Sequence, residues 1–292
     1  MWFDVGPYGS SGHAHRDKLT LNLHARGAML LVDSGRFAYA GTDLSAQLHV
    51  QYGRNTSAHN TLTLDGCDQL PVPPLAAAPI PNASVALAPD ADAAYGSMSA
   101  YNGLAGAATH TRGVRYQRRA AGAAEGDWVA VVDRVAGGAG RRRAVQATWH
   151  AHPNASAVTV NASAGFAVVG GAVGATGAPS AAQVCVVAGR GGAAAQWGAA
   201  AVVRGRRQGG GDTWQGWFSA SYDDAWEASV VVFDAAGVED GAVFAWLLVP
   251  SAAAAPCDGH AVSVLQVAAE EVLLAVHVNG VSTNVSVPLG AA

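Results

Sequence analysis

The chain has 292 residues, half of them hydrophobic, with 36 Gly and 12 Pro. Its 17 basic and 21 acidic side chains give a formal charge of −4 and only 13% charged residues, which excludes a nucleic-acid-binding arm and a polybasic membrane anchor. Apolar residues mixed with Gly and Pro favour short strands joined by tight turns over long helices, and exclude disorder over most of the length.

Short apolar or alternating segments follow one another at residues 19–23, 28–33, 61–65, 128–135, 144–150, 158–161, 184–188, 214–222, 229–233, 243–250, 262–267, 272–278 and 283–287. Gly, Pro, Asn or Asp separates nearly all of them, the pattern of an all-β chain built as an antiparallel β-sandwich. No stretch shows a helical apolar stripe flanked by caps. The Ala- and Gly-rich stretches 136–140, 162–179 and 191–201 read as loops or weak hairpins, because Gly is costly in a helix. Residues 71–92, rich in Pro and Ala, read as a long crossover or a boundary between subdomains. A soft division falls near 199–211, where the Gly/Arg-rich run with Arg204, Arg206 and Arg207 reads as a solvated loop rather than an anion-binding one. Residues 1–200 are then the sandwich, and residues 201–292 a smaller C-terminal β region, continuous with it or packed on it.

The longest strongly apolar run, Ala242 to Val249, ends at Pro250, far short of the ~20 residues of a bilayer span, so no membrane helix is expected. The first residues lack the basic and apolar regions of a signal peptide. Yet five of the nine asparagines, Asn55, Asn82, Asn154, Asn161 and Asn284, stand in Asn-x-Ser/Thr frames, where about one is expected by chance. These frames serve either as glycan acceptors or as turn residues. Their excess points to an extracellular or secretory-pathway protein. Cys67, Cys185 and Cys257 have no metal-type spacing and permit at most one disulfide within the chain.

Three elements near the N-terminus carry chemistry: His13-Ala14-His15-Arg16-Asp17, then Val32-Asp33-Ser34-Gly35, then Arg54 through Thr61 with His59 and Asn60. In an extended strand His13, His15 and Asp17 project together and form one corner of a metal site. Zinc needs at least three protein ligands from His, Asp, Glu or Cys, so distant segments must complete the set. Asp33 at one strand end and His59 before another strand are candidates, and spacing leaves open which histidine binds the metal.

The stretches GHAHRDKLTLNLHARGAMLLVDSG and YGRNTSAHNTLTLDG resemble the signature of the heparinase II/III-like polysaccharide lyases. Weaker agreement continues through His110-Thr111-Arg112, residues 128–134, residues 149–153, Gly216 to Ser219 with Tyr222, and Leu247 to Pro250. The resemblance implies a large antiparallel β-sandwich with a smaller C-terminal β region. In the family an N-terminal helical toroid closes the catalytic cleft. It implies that His13 is the catalytic histidine, and that His15, Asp33 and His59 hold a structural zinc ion near the active site. The toroid, which supplies an Asn, a His and a Tyr in such lyases, has no counterpart here. The expectation is that the gene model starts late, that the toroid has been lost, or that a partner chain provides it.

The implied reaction is β-elimination on an anionic uronate polysaccharide. A base takes the proton α to the carboxylate, the carboxylate is neutralised, and an acid protonates the leaving oxygen. His13 fits one proton-transfer role. Tyr39 and Tyr52 are the local candidates for a second, or else half-buried packing residues. Arg54 either meets the uronate carboxylate or sulfate, or braces a loop by pairing with an Asp. Asn60 reads as a backbone anchor, and His150 and His152 read as strand residues rather than a second metal pair. His24, His49, His110, His260 and His277 read as surface or internally satisfied histidines. Trp149, Trp214, Trp217 and Trp226 are sugar platforms or, more commonly in a sandwich, core. Neither nucleic acid nor membrane is an expected partner. The competing classes are a non-catalytic zinc-stabilised module that binds glycan or another chain, and a cupin-like metal enzyme. The latter lacks the Glu expected shortly after the His-x-His pair.

Overall fold

A computed structural model of the chain describes residues 1–7, 13–70, 83–118, 126–138, 140–155, 157–171, 181–190, 193–207, 213–252 and 254–290. At its centre is an antiparallel eight-stranded sheet in the order Val158–Asn161, Phe166–Gly170, Ala182–Ala188, Ala242–Ala252, Trp128–Ala136, Thr109–Gln117, Ala91–Met98 and Ser84–Leu87. Both faces of this sheet are covered. Val129, Val131, Val184, Val186, Phe244, Trp246 and Leu248 point into one core, and the intervening Ala130, Val132, Cys185, Val187, Val243, Ala245 and Leu247 into another. Side chains two apart share a face, so strands covered on both sides are apolar at nearly every position.

The first core is closed by a four-stranded sheet, Ala199–Arg204, Ser229–Val238, Arg143–His150 and Leu62–Leu64, through Val145, Ala147, Trp149, Val231 and Phe233. Leu21, Leu23, Leu30 and Leu31 of the small N-terminal sheet, Trp2–Phe3 with Leu21–Ala25 and Ala28–Leu31, join it. The second core is closed by a three-stranded meander, Ala261–Val267, Glu271–Val278 and Val281–Pro288. Cys185 of the central sheet forms a disulfide with Cys257, just before the meander, closing a sequence separation of 72.

Strands from both sides of residue 200 share sheets: Ala242–Ala252 lies between Ala182–Ala188 and Trp128–Ala136. Ser229–Val238 likewise pairs with Arg143–His150. The separate C-terminal sheet starts at Ala261.

Several local expectations are corrected. Ala199–Arg204 is a strand where a loop or weak hairpin was expected, because its pairing with Ser229–Val238 outweighs its local composition, whereas Phe166–Gly170 closes a hairpin on Val158–Asn161, one of the forms expected there. The segment expected to be one strand at 214–222 forms a strand only at Trp217–Phe218, with a separate antiparallel bridge from Gln215 to Arg206. Helix is present where none was expected: Leu44–Leu48 is α-helical, capped by Asp43 Oδ1 on the Ala46 N–H at 2.9 Å, and runs into a π-helical turn, His49–Gly53. Of the crossover expected at 71–92, residues 71–82, Asn82 among them, lie outside the described residues, as do 172–180 and 208–212, and the rest contains the strand Ser84–Leu87. No helix among the described residues is long and apolar enough to cross a membrane.

The cores enclose a polar cluster. Asp133 accepts from Arg112 Nε at 2.7 Å and Nη2 at 3.0 Å, from Trp246 Nε1 at 2.9 Å, and shares a 2.6 Å hydrogen bond with His110 Nε2. Every one of these side chains is fully buried. A buried charge is tolerated only when paired and hydrogen-bonded, and Arg112 completes its set by donating Nη1 to the carbonyls of Leu19, at 2.8 Å, and Asn60, at 2.5 Å. The central sheet is thereby tied to the residue that follows His59.

Candidate active site and metal centre

His13 to Asp17 are in turn and irregular structure rather than a strand, so the expected common face for His13, His15 and Asp17 does not form. The segment is laced instead to residues 54–55 and 68. Arg16 N–H donates to the Arg54 carbonyl at 3.0 Å, Arg54 Nε donates to the Ala14 carbonyl at 3.2 Å, and Arg16 Nη1 meets Asn55 Oδ1 at 2.6 Å and Asp68 Oδ2 at 3.1 Å. Asp17 lies 3.3 Å from Lys18 Nζ, whose other carboxylate partner is Asp4. Ala14 is buried between the two histidines, His13 is exposed and His15 is half-buried. The loop thus sends the histidines to different places.

His15 meets Asp33 and His59. Each offers one ligand atom, and those atoms all lie within 4.8 Å of one another. Asp33 Oδ2 is 2.7 Å from His59 Nδ1, while Asp33 Oδ1 accepts the Gly35 N–H at 2.9 Å. The His15 and His59 ring centroids are 5.5 Å apart. Burial, reinforced by the neighbouring His59 charge, pulls the His15 pKa down to about 4. Burial alone would raise Asp33, but the charge and hydrogen bond of His59 hold it down at about 2. The donor set is therefore a neutral imidazole and an ionised carboxylate around a second imidazole whose Nε2 is buried without a hydrogen-bond partner. These are ligand types that suit zinc.

The trio is held from behind by Asn60. Its Nδ2 donates to the carbonyls of Leu21 and Val32 at 2.9 and 3.0 Å, and its Oδ1 accepts from His150 N–H at 2.7 Å and His150 Nδ1 at 2.9 Å. With Nδ1 donating, His150 Nε2 is an acceptor, and it receives the Tyr52 hydroxyl at 3.0 Å. Burial keeps His150 neutral, its pKa lowered to about 3, and raises that of Tyr52. Tyr52 is fully buried, so the structure places its hydroxyl on His150 and apart from His13.

Tyr39 is brought to His13. The phenol oxygen and His13 Nδ1 are 3.0 Å apart, and Tyr39 is 37% exposed, so the pair faces solvent. The Tyr39 ring packs edge-on against His49 at 4.9 Å and Tyr222 at 5.9 Å. His49 Nδ1 bonds the Arg36 carbonyl at 2.8 Å, and its ring lies 6.5 Å from that of His15. His49, Arg36 and Tyr222 were not sequence candidates for this wall. The signal for the first two was their position: Arg36 directly follows the Asp33–Gly35 turn, and His49 begins a helical turn too short to show a stripe.

The loop carrying Arg36 and Tyr39 is pinned to the loop before Tyr222. Ser219 N–H donates to the Ser34 carbonyl at 2.8 Å, and Phe37 N–H to Ser219 Oγ at 3.2 Å. Gly35 has φ +86°, and a Cβ there would lie 2.1 Å from the Ser219 carbonyl oxygen. Trp149 and Trp217 are buried in the core, whereas Trp226 is 56% exposed.

The family profile described as heparinase II/III-like, C-terminal, matches residues 1–247. The fold is similar to that of heparan sulfate lyase HepC from Pedobacter heparinus, with a TM-score of 0.73 at 16% identity, covering 99% of this chain and 39% of that one. A heparinase III structure gives a TM-score of 0.67 at 16% identity, covering 98% of this chain and 38% of that one. The chain therefore spans less than two fifths of the lyases it matches. No curated protein matches it in sequence.

Proposed function

The chain belongs to the heparinase II/III-like family, and from that membership we propose that it forms the β-sandwich wall of a polysaccharide lyase site acting on uronic-acid-containing polysaccharide by β-elimination. The observation that carries this reading is the solvent-facing His13–Tyr39 pair at 3.0 Å, adjoining the His15–Asp33–His59 trio. A proton removed α to the uronate carboxylate needs an acceptor, and the departing glycosidic oxygen needs a donor. His13 and Tyr39 share a hydrogen bond along which a proton moves between them. His13 does acid/base work, and Tyr39 holds its ring and supplies or returns the proton.

His15, Asp33 and His59 would hold zinc, which when bound supplies positive charge that ties the two loops and the strand end together. Arg54 braces the backbone between His13 and His15. The opposite wall of the cleft, with the remaining polar groups, belongs to a helical toroid domain. An oxidising extracellular or secretory setting is supported by the Cys185–Cys257 disulfide and the five Asn-x-Ser/Thr frames.

The test is the ultraviolet absorbance of unsaturated uronate released from a panel of uronic-acid polysaccharides by zinc-loaded protein, with His13→Ala in parallel. A signal lost in the mutant supports the lyase reading. Binding of those polysaccharides without product, from a folded and metal-loaded protein, favours the second reading, a zinc-stabilised glycan-binding module.

A further inference from the structure

Beside the His13–Tyr39 pair stands a cation with no counter-charge among the described residues. Arg36 is exposed, and no carboxylate among the described residues lies within ion-pairing distance of its guanidinium. Its Cζ lies 5.8 Å from the centroid of Tyr39 and 5.6 Å from that of Tyr222. Asp224, two residues after Tyr222, accepts from Ser221 Oγ at 2.6 Å through Oδ2 and from Ser45 Oγ at 3.3 Å through its carbonyl. Both distances from Arg36 to the rings are within cation–π range, an attraction that uses none of the guanidinium N–H donors, and those donors can meet a carboxylate or sulfate bidentately. The Ser219 N–H to Ser34 carbonyl and Phe37 N–H to Ser219 Oγ bonds fix the backbone on either side of Arg36, and with it the point from which the side chain leaves the loop. Tyr222, in the same cation–π cluster, is 49% exposed.

We propose that Arg36, set against the Tyr39 and Tyr222 rings, is the anion-reading residue of this wall and takes the carboxylate or sulfate of a sugar next to the one held at His13, with Tyr222 as its stacking platform. The inference rests on the lyase-wall reading above and adds the residue that selects the substrate's charge.

The test is titration calorimetry of the full chain with three heparan-type hexasaccharides: sulfated, unsulfated, and unsulfated with the carboxyl groups reduced. Arg36→Ala is expected to weaken binding by about tenfold or more, at unchanged melting temperature, for each ligand that carries the anion it reads. A loss confined to the sulfated ligand identifies sulfate. A loss on both carboxylate-bearing ligands, absent for the reduced one, identifies the carboxylate. Arg36→Lys recovers only part of the affinity, because an ammonium is a point charge without the fork. Equal affinities of wild type and Arg36→Ala for every ligand the wild type binds overturn the Arg36 assignment and leave the lyase-wall reading standing. Equal losses on all three ligands with a lowered melting temperature also overturn it, as the mark of a structural role. A wild-type chain that binds none of the three overturns both.

Discussion

The His13 imidazole and the Tyr39 phenol meet at 3.0 Å across a sequence separation of 26, on two loops that belong to no sheet. Their contact depends on the lacing of the His13 loop to Arg54 and on the packing of Tyr39 against His49. If this pair transfers the proton, His13→Ala and Tyr39→Phe should each reduce the rate of unsaturated-product formation by about 10²- to 10⁴-fold. Because both side chains face solvent, melting temperatures should stay at the wild-type value. A Tyr39→Phe protein with full activity would remove the phenol from the mechanism.

His59→Ala and Asp33→Ala should lower zinc content and melting temperature together, since metal binding contributes to folding free energy when ligands come from separate segments. His13→Ala should retain the metal. Atomic emission on the purified variants, with a chelator-treated wild type for comparison, checks this. Full zinc stoichiometry in both ligand mutants would refute the assignment.

Arg112→Leu should destabilise the chain by about 3–5 kcal/mol, because it strands the buried Asp133 carboxylate and frees the carbonyls of Leu19 and Asn60. The denaturant midpoint measures the loss. Arg112→Leu with Asp133→Leu together should cost less than the sum of the single changes, since the pair disappears as a unit.

Acid should weaken the fold through the same cluster. Burial alone would raise Asp133, but Arg112 and His110 hold its carboxyl below the usual range, and burial lowers His110. Both pKa values are lower folded than unfolded, so the unfolded chain binds more protons and stability rises with pH. The His110 contribution is complete above its unfolded value of about 6.5, and that of Asp133 above about 3.9. Each is lost as pH falls through the folded value. Denaturant midpoints from neutral pH downward should fall in these two windows, and Asp133→Asn should flatten the lower one. A maximum at acid pH would contradict the reading.

Reduction of the Cys185–Cys257 disulfide should cost about 2–4 kcal/mol by releasing the segment that leads into the C-terminal meander. Chemical denaturation with and without a thiol reductant gives the difference, and Cys257→Ser should match the reduced protein. Identical midpoints would argue that the bridge adds no constraint.

The strands covered on both faces were legible because Val184 to Ala188 and Val243 to Val249 are apolar at every position. Thr109–Gln117 was not, since its buried positions include His110, Thr111 and Arg112, satisfied by partners that only the assembled layers supply. Asp33 and His59 of the metal trio were candidates from their places at strand ends, and family likeness added the choice of His15. Strand periodicity had placed His13 and His15 together, and the irregular loop around buried Ala14 separates them. The downstream motif matches at His110 to Arg112 and at Asp133 hold the central cluster, which fastens the segment bearing His59 to the core. Arg36 with Tyr222 was invisible because the contact joins loops far apart in the chain.

Gly35 separates what this surface can vary from what it cannot. A side chain there would collide with the Ser219 carbonyl, so the joint between the two loops admits one residue type. Arg36, the very next position, points outward and meets no such barrier. If Arg36 reads the substrate's charge as proposed, a substitution there changes what the wall selects while the mount beneath it stays the same. Selectivity on this wall is open to evolution by single substitutions that leave the fold untouched.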